Sequence, residues 1–247
     1  MSEACPELVV TLVTRDGRQI AWDLMALTKP RVIAMVLVTT LVGYDVGLTE
    51  AADYLRMIHL LIGTLLAASG TLALNQYWER DVDARMDRTR TRPLPAGRLQ
   101  PLEALLFGVA LTMLGAAYLA ALVGAVVALV TAATAILYLF AYTPLKPRTA
   151  LCTLVGAVPG ALPPVAGWAA ARSDVTLGAW VLFGILFLWQ LPHTLSIARL
   201  YREDYARAGL AFVSRVSYFL SDEVRDFFGT RLNNVAQHGL CNRAGMA

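Results

Sequence analysis

Residues 56–95 read RMIHLLIGTLLAASGTLALNQYWERDVDARMDRTRTRPLP. Up to residue 76 the stretch is apolar and nearly free of charge; from there on, carboxylates and arginines alternate. Roughly 20 apolar residues in a helix cross about 30 Å of hydrocarbon, so 56–76 predicts a membrane span that emerges into a charged mouth. Blocks of the same kind recur at 31–48, 102–123, 125–142, 151–171 and 177–198. Backbone groups in lipid must be satisfied within the segment itself, so these blocks predict an all-α, polytopic membrane bundle of six transmembrane helices. Across 247 residues the chain is 57% hydrophobic and 16% charged, and a net charge of +3 is too small to point to nucleic acid.

The positive charges take sides. Arg15, Arg18, Lys29 and Arg31 precede the first span; Arg80, Arg85, Arg88, Arg90, Arg92 and Arg98 join the second to the third. Lys146 and Arg148 join the fourth to the fifth, and Arg199, Arg202 and Arg207 follow the sixth. The alternate loops hold only Arg56 and Arg172, the first of them beside Asp45, Glu50 and Asp53. That asymmetry predicts a cytoplasmic N-terminus, with the acid-rich 77–95 loop on the same side. The N-terminus lacks the plan of a secretory signal. Cys5, Cys152 and Cys241 stand singly and read as free thiols. The expected organisation is a cytoplasmic segment (1–30), a membrane domain (31–210) and a non-membrane tail (211–247), where charges interrupt every apolar run.

If the second helix continues past residue 76, its period stacks Asn75, Glu79, Asp83 and Asp87 on one side and turns Asp81 away. Like charges at this spacing disfavour a helix by roughly 0.2–0.5 kcal/mol per pair, unless cations compensate them. Two sources are open: the interleaved arginines of a solvated loop, or a divalent ion. Hard oxygens at the mouth of a membrane cavity suit Mg2+ that keeps waters and shares a phosphate. Arginines such as Arg88 and Arg92 have the planar forks that suit phosphate oxygens, and Pro93 and Pro95 are expected to stop the helix. In the sixth span Gln190 and His193 share one face at membrane depth, where polar groups face a cavity or a partner helix.

The stretch ALNQYWERDVDARMDRTRTRPLPAGRL resembles the first aspartate-rich motif of the UbiA superfamily of intramembrane prenyltransferases, Asn-x3-Asp-x3-Asp. Asn75, Glu79 and Asp83 occupy the matching positions, glutamate replacing the first acid. LTKPRVIAMVLVTTLVG, YTPLKPRTALCTLVGAVPGALPPVAGWAA and LPHTLSIARLYREDYARAGL extend the resemblance to the haem-prenylating branch, the protohaem IX farnesyltransferases, from about Leu27 to Leu210. It implies a cavity ringed by nine helices, Mg2+ as cofactor, and farnesyl diphosphate and haem B as substrates within a lipid bilayer. The farnesyl group would pass to a haem vinyl group, giving haem O. It further implies Asn75, Glu79, Asp83, Lys146 and Arg148 as catalytic residues, and Asn75, Glu79, Asp83, Asp87 and Asp204 as metal ligands. Arg88, Arg92, His193 and Asp204 would bind substrate, His193 near the porphyrin. Trp168, Trp180, Phe183, Phe187 and Trp189 line the cavity or face lipid. The second family motif is reduced, since Ala208 stands where many relatives have an aspartate, although Glu203 adds an acid beside Asp204. A bacterial inner membrane is the expected site, with haem A synthase or oxidase assembly proteins as partners. Alternatives are a UbiA enzyme acting on an aromatic or quinone precursor, an inactive remnant lacking part of the wall, and a transporter. Acids gathered at one mouth favour an enzyme over a transporter.

Overall fold

The computed structural model describes residues 16–149 and 151–207; among them the regular structure is helical, with no strand. The expected 211–247 tail and the first fifteen residues lie outside the described residues. A short helix, α1 (Gly17–Leu27), precedes six long ones: α2 (Pro30–Gly47), α3 (Tyr54–Asp83), α4 (Pro101–Leu122), α5 (Ala125–Leu145), α6 (Cys152–Arg172) and α7 (Leu177–Leu200). A final turn, α8, spans Arg202–Arg207. All six long helices are long and apolar enough to cross a membrane.

Local chemistry sets the ends. The Asp53 carboxylate accepts the Arg56 N–H at 3.0 Å and caps α3. Pro30 and Pro101 occupy first-turn positions, where a missing N–H costs nothing, and Glu103 reaches back to the Gln100 N–H at 2.7 Å. Two helices depart from regularity. In α5, Leu137–Tyr142 form a wide π-turn, in which the Thr143 N–H reaches back to the Tyr138 carbonyl. In α6, the halves Cys152–Ala161 and Pro163–Arg172 meet at Leu162, because Pro163 and Pro164 donate no backbone hydrogen bonds.

The bundle is uneven. Half of the α3 span and 61% of the α6 span are buried, against 6% of α7, so α3 and α6 form the interior while α7 lies outermost. The α2–α6 contact depends on small residues. A Cβ on Gly167 would overlap the Thr40 carbonyl, and one on Gly43 the backbone of Pro164. Such close backbone approach is how helices associate where lipid removes the hydrophobic drive. At one end Arg56 bonds the Val123 carbonyl (2.9 Å) and Arg172 the Gly47 carbonyl (2.8 Å). At the other end converge the α1–α2 turn, the end of α3 with the 84–100 segment, the α5–α6 turn and α8; this end holds the acids.

Pro93 and Pro95 do not end α3 as the sequence leads one to expect. Helix α3 stops at Asp83, not at the prolines ten residues on. The Asp83 carbonyl accepts the Met86 N–H (3.3 Å) and the Thr89 hydroxyl (2.8 Å), folding 84–100 into turns. Asp87 therefore leaves the row of Asn75, Glu79 and Asp83.

Candidate active site

Three turns of α3 present Asn75, Glu79 and Asp83 on its inner side, respectively 1%, 8% and 1% exposed. Charges this buried need partners, and each comes from a different segment. Lys146, at the end of α5, donates to both Glu79 oxygens, at 2.9 and 3.1 Å. Arg92, in the turns after α3, donates to Asp83 Oδ2 at 2.6 Å. Lys29 donates to Asn75 Oδ1 at 3.0 Å, and the Asn75 amide donates to Thr143 Oγ1 at 3.2 Å. The Tyr138 hydroxyl reaches the same Asn75 oxygen at 3.5 Å. Thr143 and Lys146 follow the π-turn of α5, whose extra residue sets where they face.

Lys29 is held there by its backbone. It sits in the left-handed region, at φ 52 and ψ 67, directly before Pro30. A following proline disfavours the right-handed helical region, and the left-handed one costs an ordinary residue roughly 1–2 kcal/mol. The neighbouring structure holds it in place. The Gln76 amide, 2% exposed, donates to the carbonyls of Leu27 (2.8 Å) and Ala26 (3.4 Å), fixing the end of α1. The Lys29 carbonyl accepts the Val32 and Ile33 N–H groups at 2.9 and 3.2 Å and so starts α2. Burial, with Arg92 and then Lys146 nearby, pulls the Lys29 amine from its ordinary 10.5 down to about 8, against the opposing pull of Glu79 and Asp83.

Three cations (Lys29, Lys146 and Arg92) thus face two carboxylates (Glu79 and Asp83), an excess of one positive charge before any ligand arrives. Among the described residues, no three of His, Cys, Asp and Glu gather into a metal cage. Magnesium does not require one, since it commonly takes one or two carboxylates and completes its shell with waters and substrate phosphates. Glu79, Asp83 and the Asn75 oxygen fit that donor set.

Asp87 and Asp204 form a neighbouring cluster around Arg207, whose guanidinium lies 2.8 Å from Asp87 and also bonds Asp204. Arg88 is exposed and stacks on the Tyr201 ring, 4.4 Å from its centroid. Arg148 is exposed at the α5–α6 turn. His193 lies on the exposed face of α7, its ring 4.6 Å from that of Trp189 and nearly parallel to it. Trp180 and Trp189 are exposed, Phe183 and Phe187 stack at 5.8 Å, and Trp168 is buried in the bundle. Read from the sequence, Lys29 counts only as a topological charge, and Gln76, Tyr138 and Thr143 do not stand out. A lysine set directly before a helix-opening proline, in LTKPR, was the available signal for the first.

Buried carboxylates and converging cations therefore meet at one mouth of a bundle of helices long and apolar enough to cross a membrane. Residues 36–216 match the UbiA prenyltransferase family, and the chain belongs to it. It is 52% identical over 197 residues to the protoheme IX farnesyltransferase of Solibacter usitatus, covering 76% of this chain and 68% of that one. The protein of that name from Myxococcus xanthus is 46% identical over 198 residues, covering 78% and 66%. The chain thus spans about two thirds of the length of these relatives. In fold it is similar to a UbiA homologue from Archaeoglobus fulgidus solved bound to DMAPP and Mg2+, with a TM-score of 0.64, 21% identity and coverage of 79% of this chain and 71% of that one.

Proposed function

We propose that this multi-pass membrane protein transfers a farnesyl group from farnesyl diphosphate to a vinyl group of haem B, giving haem O. Its N-terminus and acidic mouth would face the cytoplasm of a bacterial inner membrane. The convergence of Lys29, Lys146 and Arg92 on Asn75, Glu79 and Asp83 carries the reading. The names of the relatives support haem as the acceptor.

Diphosphate leaves an allylic carbon only when its growing negative charge is neutralised. Lys29, Lys146 and Arg92 offer fixed positive charge from three segments, so no large reorganisation accompanies bond breaking. Asn75, Glu79 and Asp83 would hold Mg2+, which supplies Lewis-acid neutralisation of the phosphate oxygens. The allylic C–O bond breaks and its electron pair leaves with diphosphate. The vinyl group then forms the new C–C bond, and water adds to the resulting carbocation and loses a proton. The apolar bundle shields the cationic carbon from premature capture by water. Diphosphate and a proton are released, and the haem iron keeps its oxidation state.

The test is conversion by residues 1–247 in nanodiscs containing haem B, farnesyl diphosphate and Mg2+, with products separated chromatographically. Haem O that is lost with Glu79→Gln supports the reading. Preferred prenylation of 4-hydroxybenzoate in competition would reassign the acceptor, and absence of any product from folded protein would remove the activity.

A further inference from the structure

Helix α1 (Gly17–Leu27) lies outside the six spans and has two unlike faces. Its inner face, Ile20, Leu24 and the fully buried Leu27, packs with Ala73, Leu94, Leu99 and Ala104, and with Tyr77 and Phe107. On that face Asp23, 5% exposed, is clipped to Arg98 at 3.0 Å. The outer face follows the i, i+4, i+7 spacing: Arg18 is exposed, Trp22 is 64% exposed and Met25 52% exposed. Nothing among the described residues covers the two apolar side chains.

The height of α1 identifies what does. Ala73 lies about 15 Å back from Asp83 along α3, at 1.5 Å per residue. Ala104 and Phe107 lie in the first two turns of α4, where Leu102 and Leu106 are 59% and 61% exposed in a strongly apolar span. The helix therefore packs between the 84–100 segment of the charged mouth and the first turns of α4, beside exposed apolar side chains. Just beyond α1 in the chain, Arg31, Val32 and Met35 in the first turns of α2 are exposed as well, as is Arg18 at the start of α1. Tryptophan and methionine between arginines is the composition of a helix lying in the headgroup–acyl boundary, its apolar side sunk about 5–10 Å.

We propose that the outer face of α1 is seated in the bilayer surface at the mouth end, with Trp22 and Met25 in the acyl boundary and Arg18 and Arg31 among the headgroups. Leu27, clamped by Gln76, is two residues from Lys29, so the seat fixes the segment that delivers Lys29 to Asn75.

The test is tryptophan fluorescence of the full chain in nanodiscs, wild type minus Trp22→Phe, which isolates Trp22 from the other four tryptophans. Lipids brominated near the glycerol end of the chain should quench this difference emission, those brominated near the methyl end should quench it less, and aqueous iodide should leave it unchanged. Quenching by iodide without quenching by bromolipid would place Trp22 in water, and quenching by neither would place it against protein; either result overturns the proposal. Met25→Trp in the Trp22→Phe background is an independent reporter and should regain a bromolipid-quenched component.

Discussion

Lys29 makes substrate binding sensitive to alkali in a calculable way. With its amine at about 8 in the free protein, the fraction still protonated falls to about a tenth one pH unit above that value. When only the protonated form takes the diphosphate, apparent affinity falls in proportion to that fraction, about tenfold per unit of pH on the alkaline side. Lys29→Arg keeps the charge at all pH values and should bind with a flat profile across the same range. Lys29→Gln removes one of three cations and a charged hydrogen bond of 3.0 Å to Asn75. The loss of one charged donor to a bound anion costs about 1.5–3 kcal/mol, or about 10–150-fold in affinity. The assay is calorimetric titration of a non-hydrolysable farnesyl diphosphate analogue with Mg2+ held constant, from neutral to alkaline pH. Equal alkaline slopes in wild type and Lys29→Arg, or binding by Lys29→Gln within about twofold of wild type, would refute the placement of Lys29 on the diphosphate.

The same amine links to folding with the opposite sign. Its pKa is lower in the folded chain than in the unfolded one, so the unfolded chain binds more protons between about 8 and 10.5. This group's contribution to stability should therefore rise with pH through that window, an increment absent from Lys29→Gln in thermal unfolding. Lys146→Met strands the Glu79 carboxylate, 8% exposed, and should destabilise the protein by about 3–5 kcal/mol, whereas adding Glu79→Gln should restore most of that loss in detergent melts without restoring activity. Gly167→Val should lower the melting temperature by pushing α6 off the Thr40 carbonyl, an overpacking cost of about 1–3 kcal/mol.

The spans were legible because hydrocarbon thickness acts on every one of them alike: 31–48 became Pro30–Gly47, and 177–198 became Leu177–Leu200. The face shared by Asn75, Glu79 and Asp83 was legible for a related reason, since it depends only on the period of one helix. What depends on distant contacts was not. Lys29 meets Asn75 across 46 positions, through a left-handed residue that hydropathy does not register. Asp87 lost its place on the helix because a threonine hydroxyl two residues later takes the Asp83 carbonyl, a competition that periodicity cannot weigh. Lys146 and Arg148 look alike in sequence, yet one bridges a buried carboxylate and the other is exposed, since a turn of chain separates them.

The wide turn at Leu137–Tyr142 stores a spare residue inside α5. If the same residues were wound as ordinary α-helix, with the spare one no longer absorbed, everything after it would swing by about 100° around the axis. Thr143 would then leave the Asn75 amide and Lys146 would leave Glu79, although neither had been mutated. The phase of a single helix, as much as any side chain, thus decides whether the mouth holds its third cation.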